Sequence, residues 1–207
     1  MSEIRVLIVE DEPIIAEHIS GYLNNNDFKV SGIAYDSEEA RRQLLQNTPD
    51  VVLLDINLGE TEDGIDIAGL VRRKYRIPVL FLTSYADRET IHRAKQTEPG
   101  GYLVKPFEER ALLASLEIAL YNFAKKSNQT VPVLSFKKIN RHLIAQISER
   151  EFEVMQLIFE GLTNQQIAER ISISVNTIKK HINSSYLKLD VATRTTAIAR
   201  LLELMTR

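Results

Sequence analysis

Val51-Val52-Leu53-Leu54-Asp55 is an uninterrupted apolar run of strand length that closes on a carboxylate. A strand apolar at both parities has to be covered on both faces, as a central parallel strand is. Working outward, β-type runs precede it at Arg5 to Val9 and Lys29 to Ala34, and follow it at Val79 to Leu82 and Gly101 to Val104. Helical periodicity separates them at about Ile14 to Leu23, Glu38 to Leu45, Gly64 to Lys74 and Glu89 to Lys95. A last helix runs from Glu108 to about Lys126. Five such alternations predict an α/β fold, a five-stranded parallel sheet with helices on both faces.

The bulk numbers bound the rest. The 207 residues, 44% hydrophobic and 26% charged, have room for two ordinary domains with real cores. With no cysteine, disulfides, thiolate metal sites and cysteine nucleophiles are excluded. That usage fits a reducing, cytoplasmic setting. The apolar runs are too short to span a bilayer, and the start Met1-Ser2-Glu3-Ile4-Arg5 has no basic region leading into a hydrophobic one, so no membrane role is expected. The net charge of −2 is unevenly spread. Residues 1–123 carry a net −8, residues 124–146 a net +5 and residues 147–207 a net +1, which suggests different partners for the two ends.

In an open parallel sheet, ligands bind beyond the carboxyl ends of the strands. Strand one ends in Glu10-Asp11-Glu12, strand three in Asp55, strand four in Thr83-Ser84 and strand five in Lys105-Pro106. Clustered carboxylates must take up protons or hold a hard cation, and Mg2+ suits an all-oxygen site that keeps room for phosphate oxygens. Asp55 then has the chemistry of a nucleophile toward phosphorus, with Lys105 pairing phosphoryl oxygens and Thr83 donating a hydrogen bond. Singly, Asp11 reads equally as a helix cap, Asp55 as a turn residue and Lys105-Pro106 as a loop; their shared position at strand ends favours the site.

The blocks Val9-Glu10-Asp11-Glu12-Pro13, Leu53-Leu54-Asp55-Ile56-Asn57, Phe81-Leu82-Thr83-Ser84 and Gly101-Tyr102-Leu103-Val104-Lys105-Pro106-Phe107 resemble receiver domains of two-component signalling. The resemblance covers residues 4 to about 123 and implies a flavodoxin-like (CheY-like) sheet of order 2-1-3-4-5. It implies phosphorylation of Asp55 by a sensor histidine kinase. Magnesium would be held by Asp11, Asp55 and the backbone carbonyl of Asn57, with Glu10 acting through water. It further implies a switch made of Thr83 and Tyr102, and a cis peptide bond before Pro106. Taken alone, Tyr102 is also readable as an ordinary aromatic.

After Lys126, Ser127-Asn128-Gln129-Thr130-Val131-Pro132 reads as a linker, and residues 133–147 fit either a short strand or a segment lying against one of the domains. From Ser148 the strands disappear. Ser148 and Glu151 form a capping-box pattern, Thr163 and Gln166 repeat it, Ser174 caps a third helix from Val175 to Lys188, and Thr193 begins a fourth running to about Met205. Gly161 is placed to end the first of these. The expected organisation is therefore residues 1–126, a linker at 127–146, and an all-α four-helix module at 147–207. Apolar residues from Ile167 to Ile182 let two short helices pack across a tight turn, a helix-turn-helix. Asn176, Lys179, Lys180 and Asn183 then share one polar face, which is either merely solvated or suited to a major groove.

Ile147-Ser148-Glu149-Arg150-Glu151, Gly161-Leu162-Thr163-Asn164-Gln165-Gln166-Ile167-Ala168, Ser174-Val175-Asn176-Thr177-Ile178-Lys179-Lys180-His181-Ile182 and Leu187-Lys188-Leu189-Asp190 resemble the LuxR/NarL-type DNA-binding domain. By that resemblance Lys179, Lys180 and Asn183 meet base edges of double-stranded DNA, Thr177 and nearby amides meet phosphates, and the fourth helix is a dimer contact. His181 packs or touches phosphate and has no second metal-type ligand spaced around it. Asp190 departs from the pattern, since the family commonly has glycine there.

Together these readings describe a response regulator that dimerises when phosphorylated and regulates transcription. It would catalyse only its own phosphorylation and dephosphorylation and would not be an enzyme in the ordinary sense. Two alternatives stand beside it. A Mg2+-dependent aspartyl-phosphate phosphatase is disfavoured because Asn57 cannot serve as acid and base. A nucleotide- or flavin-binding domain is disfavoured because Glu10-Asp11-Glu12-Pro13 is no glycine-rich cradle and repels diphosphate.

Overall fold

In a computed structural model, which describes residues 3–24, 27–59, 63–84, 88–127 and 134–206, the five β-type runs are strands. They are β1 (Ile4–Val9), β2 (Phe28–Ala34), β3 (Val51–Asp55), β4 (Val79–Thr83) and β5 (Gly101–Val104), each end within one residue of the sequence-based bounds. All pair in parallel in the order β2-β1-β3-β4-β5. β3 is central and every one of its residues is buried.

Between the strands run α1 (Pro13–Asn24), α2 (Ser37–Gln46), α3 (Gly64–Leu70) and α4 (Arg88–Gln96), and α5 (Glu109–Ser127) follows β5. Alternate strand residues point to opposite faces. Leu53, Leu80 and Leu82 therefore pack with Ile19 and Leu23 of α1 and Leu112 and Leu116 of α5. Val52, Leu54 and Phe81 pack with Leu44 of α2, Ile67 of α3 and Ala94 of α4. Each such fully buried aliphatic side chain contributes roughly 1.5–3 kcal/mol relative to exposure. One expected helix, Gly64 to Lys74, is in fact two pieces. After Leu70 the ladder widens into a π-type segment, Val71–Tyr75, closed by Arg76 N–H to Val71 O at 2.9 Å with Arg76 left-handed at φ 52. The wider turn ends the helix where Tyr75 packs on the core and the chain turns toward β4.

Contacts divide the chain into two compact units, Ile4–Leu120 and the residues from Tyr121 onward. The second holds α6 (Phe136–Arg141), α7 (Glu149–Phe159), α8 (Asn164–Arg170), α9 (Val175–Leu189) and α10 (Arg194–Thr206). Both expected capping boxes are present, Ser148 with Glu151 and Thr163 with Gln166, and Ser174 caps α9. Gly161, at φ 90, follows α7 as expected. Of the stretch read as a linker, residues 128–133 lie outside the described residues, and α6 lies inside the helical core. Leu134 and Ile139 are buried there, and the buried Asn140 side chain grips Ile147 twice, giving to its carbonyl at 2.9 Å and accepting from its amide at 2.8 Å. Among the described residues no helix is long and apolar enough to cross a membrane.

Asp190 caps the end of α9 in the left-handed region, φ 56 and ψ 54, with its amide bonded to Leu187 and Tyr186 carbonyls. Aspartate tolerates this conformation better than most residues, yet glycine adopts it without steric cost. Asp190→Gly is expected to stabilise the helical unit by about 0.5–1 kcal/mol, read as a higher urea midpoint. A lower midpoint would show that the Asp190 side chain stabilises the turn.

Candidate functional site

The parallel sheet delivers four polar side chains to one edge because each is the last residue of a strand or the first after it. Asp55 ends β3 and Thr83 ends β4, while Glu10 follows β1 and Lys105 follows β5. Backbone bonds hold them there: Glu10 N–H gives to Ala34 O at 3.0 Å and Lys105 N–H to Thr83 O at 2.8 Å. Glu10, Asp55 and Thr83 are buried, whereas Asp11 is exposed. The Lys105 Nζ donates to Glu10 Oε1 at 2.8 Å and to Asp55 Oδ2 at 2.6 Å, joining residues 95 and 50 positions away in sequence. Asp55 Oδ1 accepts the Asn57 amide at 3.1 Å, and the Asn57 side chain in turn accepts Gly59 N–H at 3.2 Å. The Lys105-Pro106 peptide is cis.

Burial pushes the Glu10 carboxyl up to about 7; the hydrogen bond from Lys105 opposes this and the neighbouring Asp55 charge adds to it. Burial pulls the Lys105 ammonium down, but its bonds to Asp55 and Glu10 outweigh that and leave it above the usual lysine value. The pocket is thus a buried ammonium shared by two acids, with an excess of negative charge.

That excess suits a divalent cation. Glu10, Asp11 and Asp55 each present a carboxylate oxygen, all within 4.8 Å of one another. Glu10 Oε2 lies 2.6 Å from the Lys105 ammonium, in ion-pair contact with it. Three hard oxygen donors match a cation that keeps part of its water shell.

In the helical unit, Ile173 N–H bonds Ala168 O at 3.1 Å and closes the turn from α8 to α9. Ile178, Ile182, Tyr186 and Leu189 bury one side of α9. On its other side Asn176 and Lys180 are exposed, and Thr177, Lys179 and Asn183 are half-buried.

A response regulator receiver domain model matches residues 6–117, and the model for bacterial regulatory proteins of the luxR family matches residues 145–201. The chain belongs to the response-regulator family. This response regulator is 29% identical over 202 residues to the response regulator protein VraR of Staphylococcus aureus (strain Mu3 / ATCC 700698), with 94% of each chain covered. Among solved structures, the receiver domain of a modulated diguanylate cyclase from Desulfovibrio desulfuricans G20 is similar at 35% identity and a TM-score of 0.56. That match covers 59% of this chain and 97% of the other. A LuxR-family two-component response regulator from Aurantimonas sp. SI85-9A1 is similar at 25% identity and a TM-score of 0.51, covering 56% of this chain and 84% of that one.

In the receiver, the residues expected from strand ends come together as Glu10, Asp55 and Lys105, with Asp11, Asn57 and Thr83 lining the same cleft. Tyr102 is not among the residues that line this cleft: it is 36% exposed and its ring stacks on Phe81 at 5.6 Å. Sequence reasoning missed Asp63, Gly64 and Thr90. Asp63 and Thr90 line the cleft, and Gly64 packs against the Asp55 backbone. The signal for the first two residues was present as an Asp-Gly turn followed, at Asp66, by a second acid at capping-box spacing.

Proposed function

We propose that this response regulator accepts a phosphoryl group on Asp55 from a sensor histidine kinase and uses the resulting change to control binding to double-stranded DNA. The observation that carries the reading is the bridge from Lys105 to Asp55 and Glu10 at 2.6–2.8 Å, with Asp11 beside it. In the transfer, a carboxylate oxygen of Asp55 forms a bond to phosphorus while the phosphorus–nitrogen bond of the kinase phosphohistidine breaks. The imidazole leaves with the electron pair and takes a proton from solvent. Lys105, already against Asp55, can follow the new charge onto a phosphoryl oxygen, and Thr83 at the adjacent strand tip can donate to another. Asp11, Asp55 and the Asn57 carbonyl, with Glu10 through water, would hold Mg2+. When bound, the ion would neutralise the acids and draw charge from the phosphoryl oxygens. Thr83 and Tyr102 are the proposed switch, because Tyr102 is half outside and the receiver has a packed aromatic neighbour for it in Phe81.

On α9, Asn176, Thr177, Lys179, Lys180 and Asn183 are the proposed DNA contacts, with base edges read by the lysines and asparagines. A module of net +1 gains little from phosphate neutralisation, so a homodimer on paired half-sites is needed for useful affinity. Beryllofluoride with Mg2+ is expected to promote self-association and to tighten binding to a selected DNA site about tenfold or more in the wild-type chain and to do neither in Asp55→Asn. Equal responses in both proteins would exclude Asp55 as the control point.

A further inference from the structure

Among the described residues, Asp11, Glu12, Asp55 and Asp63 all line the cleft, which therefore repels any anion that approaches Asp55. Lys105 offsets this charge from inside. At the rim a second cation does so. The Arg93 guanidinium of α4 lies 2.7 Å from Asp63 Oδ2, and the two side chains are 46% and 27% exposed. Asp63 is a fixed anchor for it. Its Oδ1 accepts the Ile65 and Asp66 amides at 3.0 and 3.2 Å, which makes Asp63 the cap of α3 in a reciprocal capping box with Asp66.

An exposed ion pair of this kind adds little to stability. Its charges nevertheless act on a small anion at the mouth of a cleft, where low-dielectric walls concentrate the field. We propose that the Asp63–Arg93 pair is a charge gate for small anionic phosphoryl donors, setting how readily they reach Asp55. The proposal rests on Asp55 being the acceptor. With the pair intact, its two charges largely cancel at the rim. Without the Arg93 charge, Asp63 adds one more negative group to a cleft that has an excess. Without the Asp63 charge, Arg93 is released to meet an incoming phosphoryl oxygen.

Opposite signs are the mark of a gate that works through charge. With acetyl phosphate and Mg2+, the donor concentration giving half-maximal phosphorylation of the full chain should rise roughly threefold in Arg93→Gln. It should fall by a similar factor in Asp63→Asn and return near wild type in the double variant. Asparagine caps helices as well as aspartate does, so α3 is preserved. The effect should fall mainly on the half-maximal concentration, and the shifts should shrink in 1 M salt, where the screening length is about 3 Å. A pair that merely straps α4 to α3 would move both single variants the same way and leave the double variant no better. That result overturns the proposal, as does an unchanged half-maximal concentration in both variants while the wild type is labelled. If the wild type takes up no phosphoryl group at all, the assignment of Asp55 fails instead.

Discussion

Gly64→Ala is expected to lower the stability of the receiver by about 3 kcal/mol and to slow phosphoryl uptake at least tenfold, because α3 begins directly against the backbone of Asp55. A Cβ at position 64 would lie 1.9 Å from the Asp55 carbonyl oxygen, 3.0 Å from its carbonyl carbon and 3.1 Å from Ile56 Cα. These are backbone atoms, so no side chain can turn aside to make room. The helix start cannot slide freely either. Gly64 N–H bonds Ile56 O at 2.9 Å, and the adjacent Asp63–Asp66 box fixes the first turn. Overpacking in a close-packed interior costs typically 1–3 kcal/mol, and here it also displaces the acceptor. Urea unfolding and the initial rate with acetyl phosphate measure the two effects. Wild-type values for both would show that α3 moves away at little cost.

The second large effect is expected in the helical unit, where one carboxylate does three jobs. Glu151 accepts the Ser148 amide at 2.6 Å in the capping box of α7, Ser184 Oγ at 2.5 Å, and Lys188 Nζ at 2.7 and 3.0 Å. It thereby ties the start of α7 to two residues of α9. Burial alone would raise its pKa; the bonds from Lys188 and Ser184 more than reverse that and hold it at about 2. With the folded value below the ordinary 4.5, the contribution is complete above pH 4.5 and is lost as the pH falls from there toward 2. The full contribution is on the order of 3 kcal/mol. Glu151→Ala should cost about 2–4 kcal/mol at pH 7, since it strands Lys188 and uncaps α7. It should also flatten the acid dependence of unfolding below pH 4.5. A variant whose stability still falls as steeply with acid would place the sensitive group elsewhere. The same pairing explains why Lys188, although on α9, does not join Lys179 and Lys180 among the proposed DNA contacts.

Much of this architecture was legible because each element announces itself locally. The strands stand out as apolar runs bounded by polar residues, and the caps of α7, α8 and α9 as serine or threonine ahead of a helical pattern. The pocket acids were found because fold class alone says where strand ends meet. Other features depended on contacts that no local pattern carries. α6 has six residues and holds its place through Asn140 and the burial of Leu134 and Ile139 in a core built from later residues. The π-type widening after Leu70 has no breaker within Val71–Tyr75 to announce it, and it ends at Tyr75, which packs against the core. Asp63 caps α3 through a local pattern, but its pairing with Arg93 of α4, thirty positions on, is carried by no local signal.

The central claim is that a phosphoryl group enters at Asp55, and the chemistry of an acyl phosphate offers a direct reading of where it sits. Borohydride reduces an aspartyl phosphate to the alcohol, leaving homoserine in the chain. After treatment of the 207-residue chain with acetyl phosphate and Mg2+, reduction and peptide mass mapping should place homoserine at position 55 and nowhere else. Homoserine at another aspartate, or none in a fully folded sample, would contradict the account.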